Sequence, residues 1–96
     1  GQDERMKRVH VIVSGDVQGV GYRYTARGVA ERIGVAGWIR NRPDGTVEAE
    51  IEGSEEQVTS MLAWMDQGPP GSHVRERVVS DAPLEGAGGF QVRRTG

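Results

Sequence analysis

No cysteine occurs in the 96 residues, so disulfides, thiolate nucleophiles and cysteine-ligated metal sites are all excluded. Histidine is nearly as scarce. His10 and His73 form no His-x-x-x-His pair, and no carboxylate spacing completes a metal site around either of them. Lys7 is the only lysine, and the formal net charge is -2. The basic excess by which nucleic-acid binders neutralise phosphates is therefore missing. Aromatic residues make up only 5% of the chain. The strand carrying Val9, Val11 and Val13 shows none of the paired aromatics on which an RNA-binding sheet stacks bases. No apolar run reaches membrane length and no signal-peptide core is present. These absences lead us to expect a soluble cytoplasmic protein with no metal, cofactor, nucleic-acid or membrane partner.

A hydrophobic fraction of 35% suffices for one thin core, a single sheet covered by helices on one side. So small a domain has little room for a deep cavity, and a substrate would sit at a loop or sheet edge. We expect residues 1–6 to be a flexible extension and residues 7–96 a single domain. Alternation marks a strand from Lys7 to Ser14, with Val9, Val11 and Val13 on one face. A glycine-rich bend, Gly15 to Gly21, precedes a helix on which Tyr22, Ala26, Val29, Ala30 and Ile33 recur at helical spacing. Val35 to Asn41 is rich in strand formers, and Pro43-Asp44-Gly45 reads as a hairpin turn. Val47, Ala49 and Ile51 then alternate with Glu48, Glu50 and Glu52, which predicts a strand with one solvated face. Ser54 and Gln57 make a capping box for a second helix, whose stripe is Val58, Met61, Leu62 and Met65. A second pair of strands, Val74 to Ser80 and Phe90 to Arg93, ends the chain. Trp38, Trp64 and both histidines read as packing or surface residues. The order β-α-β-β-α-β, with a short extra strand, predicts a ferredoxin-like α+β sandwich with two helices on one face of an antiparallel sheet.

In that architecture the first and second strands run parallel on either side of the third. Their C-terminal ends share one edge of the sheet, about 10 Å apart at the usual interstrand spacing. The Gly15–Gly21 bend leaves from the first end, and Asn41 stands at the second. A glycine-rich strand-to-helix bend exposes amides beside the positive helix end, which suits an anion. An isolated bend of this kind is more often a turn with no ligand. The Walker pattern is ruled out because its lysine is absent, and G-x-G-x-x-G does not fit. Arg23 lies in the first helical turn, where a cation opposes the dipole unless it is solvated or an anion binds beside it.

With these residues assembled, the chain resembles the acylphosphatases. Ser14 to Arg23 read S-G-D-V-Q-G-V-G-Y-R and Gly37 to Val47 read G-W-I-R-N-R-P-D-G-T-V, with Gly53 closing the second signature. Gly21 and Ile39 depart slightly from the family pattern. The resemblance covers essentially everything after Met6. It implies hydrolysis of acyl phosphates to a carboxylate and inorganic phosphate without metal or cofactor. It further implies that Arg23 binds the phosphate, that Asn41 orients the water, and that the amides of Val17, Gln18, Gly19, Val20, Gly21 and Tyr22 line a phosphate-binding loop. Thr25 and Thr46 stand near enough to assist. The expected ligand is a small-molecule acyl phosphate, with phosphate or sulfate able to occupy the same place, and the expected state is a monomer. Two alternatives are a non-catalytic ferredoxin-like binding module and a carbamoyl-phosphate-handling domain.

Overall fold

The computed structural model describes residues 5–86 and 88–96. Its elements are β1 (Met6–Asp16), α1 (Tyr22–Ile33), β2 (Ala36–Asn41), β3 (Val47–Ser54), α2 (Glu55–Gln67), β4 (His73–Ala82) and β5 (Phe90–Val92). The five strands form one sheet in the order β4-β1-β3-β2-β5. All neighbours are antiparallel except β2 and β5. The expected ferredoxin-like order is present. β1 begins at Met6, where it pairs with Ser54, one residue before the expected start of the domain. Residues 1–4 of the expected extension lie outside the described residues.

One face of the sheet is the core. Val9, Val11 and Val13 of β1 lie beside Val47, Ala49 and Ile51 of β3, and all six are buried. The core cluster also contains Ala26, Val29 and Ala30 of α1 and Val58, Met61 and Met65 of α2. Each large side chain buried there contributes roughly 1.5–3 kcal/mol. A one-residue slip of β3 would instead bring Glu48 and Glu50 inside, so the apolar face fixes the register. α2 starts as its sequence requires, with Ser54 and Gln57 exchanging both capping-box hydrogen bonds. Gln57 also donates to the Ile33 carbonyl at 3.1 Å, tying the start of α2 to the end of α1.

The other face departs from the expectation of a solvated glutamate row. Arg8 is only 3% exposed and Glu52 only 4%. Arg8 donates to Glu50 at 2.6 Å and to Glu52 at 3.1 Å, while Glu48 bonds both His10 and Arg40 at 2.7 Å. Topology explains the burial. The last two strands do not pair with each other; β4 joins β1 at one edge, and β5 joins β2 at the other. Their connection must traverse the sheet, and on the way the N–H groups of Glu85 and Gly86 bond the Glu52 carboxylate at 2.9 and 3.0 Å. This anchor lies where β1 and β3 pair as Arg8 with Glu52, at the opposite end from Asn41.

The Glu85 amide, aided by Arg8 and the Gly86 amide, outweighs burial and holds the Glu52 carboxyl below its ordinary range. A carboxyl whose proton affinity falls on folding stabilises the fold above its unfolded value of about 4.3, and this contribution is lost as pH drops through the folded value. Glu52→Gln should therefore melt well below the wild type near neutral pH. The gap in Tm should narrow as the pH falls below about 4. A gap that stays constant down to acid pH would contradict this role for Glu52.

Candidate active site

Local geometry at the end of β1 requires glycine. The register with β4 shifts between Ser14 and Gly15. Gly15 has φ 120°, and a Cβ there would run into the carbonyl oxygen of His73. Beyond this bulge the side chains of Val17 and Tyr22 are buried in the core, and Val20 packs against it. Gly19 and Gly21 turn the backbone between them with φ 75° and 77°. Gly21, a departure from the family pattern, is thus the residue that adopts this left-handed conformation without strain. The Tyr22 ring packs 5.3 Å from Trp64, and its hydroxyl donates to the Met65 carbonyl at 2.7 Å. Burial pushes that hydroxyl well above its ordinary pKa, so it stays a neutral donor. Only the main chain of Tyr22 is left to face a ligand.

The bend's apolar side chains anchor it, while its amides remain uncommitted. Among the described residues, no main-chain N–H from Val17 to Arg23 donates to a protein acceptor, and the first capping bond of α1 is Thr25 N–H to Gly21 at 3.0 Å. Gly21 caps the helix without a side chain, and no acid stands in the first turn. The positive end of a twelve-residue helix is therefore unneutralised. Half-buried Arg23 adds a guanidinium there. Its one described neighbour of note is the Tyr24 ring, 5.5 Å from Cζ. No carboxylate among the described residues pairs with Arg23.

Asn41 ends β2 opposite Val47, and Val47 lies opposite Val13. The three stand in one row, so Asn41 is two strand spacings, about 10 Å, from β1 just before the bend departs. Directly paired residues share a face, which places Asn41 with Val47 and Ile39 on the helix-covered side. Its Oδ1 atom is buried with no hydrogen-bond partner among the described residues. Such an acceptor costs free energy unless water or a ligand group meets it.

The turn after Asn41 is locked from within. Arg42 N–H donates to Thr46 at 2.9 Å, and the Asp44 carboxylate accepts from the Thr46 amide at 3.0 Å and hydroxyl at 2.6 Å. The Thr46 hydroxyl is the main reason the Asp44 carboxyl lies below its ordinary value. Thr46 thus shapes the hairpin, and Thr25 is exposed. The Gln18 side chain does something the sequence did not show. Its Nε2 donates to the carbonyls of Arg42 at 2.8 Å and Thr46 at 2.9 Å, joining the bend to the hairpin. Those partners lie 24 and 28 residues away, beyond any local pattern. Among the described residues, no group of three or more His, Cys, Asp or Glu could hold a metal ion, and no helix is long and apolar enough to cross a membrane.

The ferredoxin-like sandwich thus brings a bend with uncommitted amides at a helix start and a buried amide oxygen to one edge of its sheet, an arrangement whose chemistry suits an anion. The family model described as Acylphosphatase matches residues 9–92. The chain is 55% identical over 74 residues to the acylphosphatase of Bordetella parapertussis, covering 77% of this chain and 79% of that protein. It is 47% identical over 87 residues to that of Trichormus variabilis, covering 91% and 86%. A crystal structure of acylphosphatase from Bacillus subtilis matches with TM-score 0.88 at 37% identity, over 93% of this chain and 99% of that one. The chain belongs to the acylphosphatase family, and its activity is the hydrolysis of acyl phosphates.

Because the bulge fits no Cβ, Gly15→Ala should cost about 2 kcal/mol or more in unfolding free energy. Urea denaturation checks this, and a variant as stable as the wild type would show that the bend does not need its glycine.

Proposed function

We propose that Arg23 and the amides from Val17 to Tyr22 hold the phosphoryl group of an acyl phosphate, while Asn41 holds the attacking water. The observation that carries this reading is the buried Asn41 Oδ1, unpartnered among the described residues and in strand register with Val13, just ahead of an amide-rich bend. Water has two donors, and one of them satisfies that oxygen. The other features supply what phosphoryl transfer needs. Its transition state spreads negative charge over the equatorial oxygens, so catalysis consists mainly of positioning and electrostatic stabilisation. Amides fixed by Val17, Val20 and Tyr22 do not have to reorganise as charge develops, and the Arg23 fork adds a pair of parallel, charge-assisted bonds.

In the hydrolytic step the water oxygen bonds to phosphorus as the bond from phosphorus to the acyl oxygen breaks. The carboxylate leaves with the electron pair. A carboxylate is a good leaving group and needs no strong general acid. The water's proton passes to the substrate's own oxygens or to bulk water. The same donor set accepts inorganic phosphate or sulfate, each a tetrahedral anion. The open cradle suits small-molecule acyl phosphates, and we propose that the protein works on them as a monomer in the cytoplasm. Neither the binding-module reading nor the carbamoyl-phosphate reading gains support from the fold or the family.

Turnover of acetyl phosphate, measured with a chelator present, tests the assignment. Arg23→Ala and Asn41→Ala should each lower kcat by on the order of a hundredfold, as loss of a single oxyanion donor does. Arg23→Lys should also be poor, since an ammonium lacks the planar fork. A folded Arg23 or Asn41 variant with near-wild-type turnover would remove that residue from the mechanism.

A further inference from the structure

The phosphate cradle and the water site lie on different elements, and catalysis depends on the distance between them. The ladder through β3 fixes that distance only at Val13 and Asn41, both paired with Val47, and the paired segments end at Asp16 and Asn41. Beyond those residues both the bend and the hairpin are free of the ladder. The described link across this gap is the Gln18 side chain, whose Nε2 uses both protons on the carbonyls of Arg42 and Thr46. Arg42 directly follows Asn41, and Thr46 directly precedes Val47, the partner of Asn41 in the ladder. Arg42 and Thr46 also close the hairpin through their own main-chain bond. The Gln18 amide therefore grips both arms of the hairpin at its base, next to the residue that holds the water.

We propose that Gln18 is a positioning residue that sets the phosphate cradle at its working distance from Asn41. This rests on the assignment of Asn41 as the water-holding group. Gln18 contributes to the cradle through its main chain, but its side chain acts on the geometry between the two halves of the site. Two hydrogen bonds from a half-buried amide to fixed carbonyls suffice for this. Displacing a reacting group by about 1 Å can cost as much as a hundredfold in rate. A carboxylate in place of the amide has no donor for either carbonyl and repels both.

The test is a double-mutant cycle in kcat with acetyl phosphate, using wild type, Gln18→Ala, Asn41→Ala and the double variant. Gln18→Met, which keeps the length without the donors, serves as a second version should the alanine variant fold poorly. Gln18→Ala and Gln18→Met are expected to lose about tenfold or more in kcat. The inhibition constant for inorganic phosphate, which reports the cradle alone, should move much less. In the Asn41→Ala background, where no water is left to aim, the same Gln18 change should cost less than about twofold. Additive losses across the cycle would show that Gln18 acts only on fold or phosphate affinity and would overturn the proposal, leaving Asn41's role intact. Wild-type kcat in Gln18→Met would overturn it as well. Near-wild-type kcat in Asn41→Ala alone would instead remove the assignment on which the proposal rests, and the proposal with it.

Discussion

The proposed site depends on the placement of β3 between β1 and β2. Because β3 is antiparallel to both, its neighbours run the same way and end at the same edge, and Val47 pairs with Val13 on one side and Asn41 on the other. That row brings together the two segments of the proposed site, which are far apart in sequence. It is held by burial, since a shifted register would exchange valines for glutamates in the core. The geometry of the proposed site thus rests on Val9, Val11, Val13, Val47, Ala49 and Ile51, none of which has a reactive group. Phosphoryl transfer asks a protein mainly for fixed distances, and a packed sheet supplies them.

The face away from the helices serves the same rigidity by other means. A chain that finishes β4 at one edge and must begin β5 at the other has to cross the sheet, and the Glu85 and Gly86 amides bond Glu52 as it does. Arg8, bonded to Glu50 and Glu52, keeps a raised pKa: burial opposes its charge, but the carboxylates outweigh it. Pairing of this kind is what a buried arginine needs, since an unpaired one would strongly destabilise the fold. The consequence for function is indirect. β2 carries Asn41, and it is held on one side by β3 and on the other by β5.

Much of this was legible in the sequence. Alternation marked β1 and β3, Ser54 and Gln57 marked the start of α2, and the order of elements implied which strand ends meet. The two signatures carried the family, and the roles they imply for Arg23 and Asn41 belong to the proposed mechanism. Three things could not be read, for one physical reason: each is a contact between segments with no local pattern. The burial of Arg8 and Glu52 depends on which edge β5 joins, and a three-residue strand does not announce its partner. The contact of the Tyr22 ring with Trp64 depends on how α2 packs beside α1. The Gln18 link needs two loops brought together by the ladder. Glu48, Glu50 and Glu52 show the limit most clearly, because alternation reports that a face is polar without reporting what else covers it.

Titration of the 15N-labelled protein with inorganic phosphate, followed by NMR, tests the central claim most directly, because each amide reports separately. The account predicts that the largest amide shifts fall between Val17 and Arg23, with the Asn41 side-chain amide also responding, and that Arg23→Ala weakens the whole response. Shifts centred instead on the arginines of the opposite face, Arg8 and Arg40, with the bend unchanged, would contradict it.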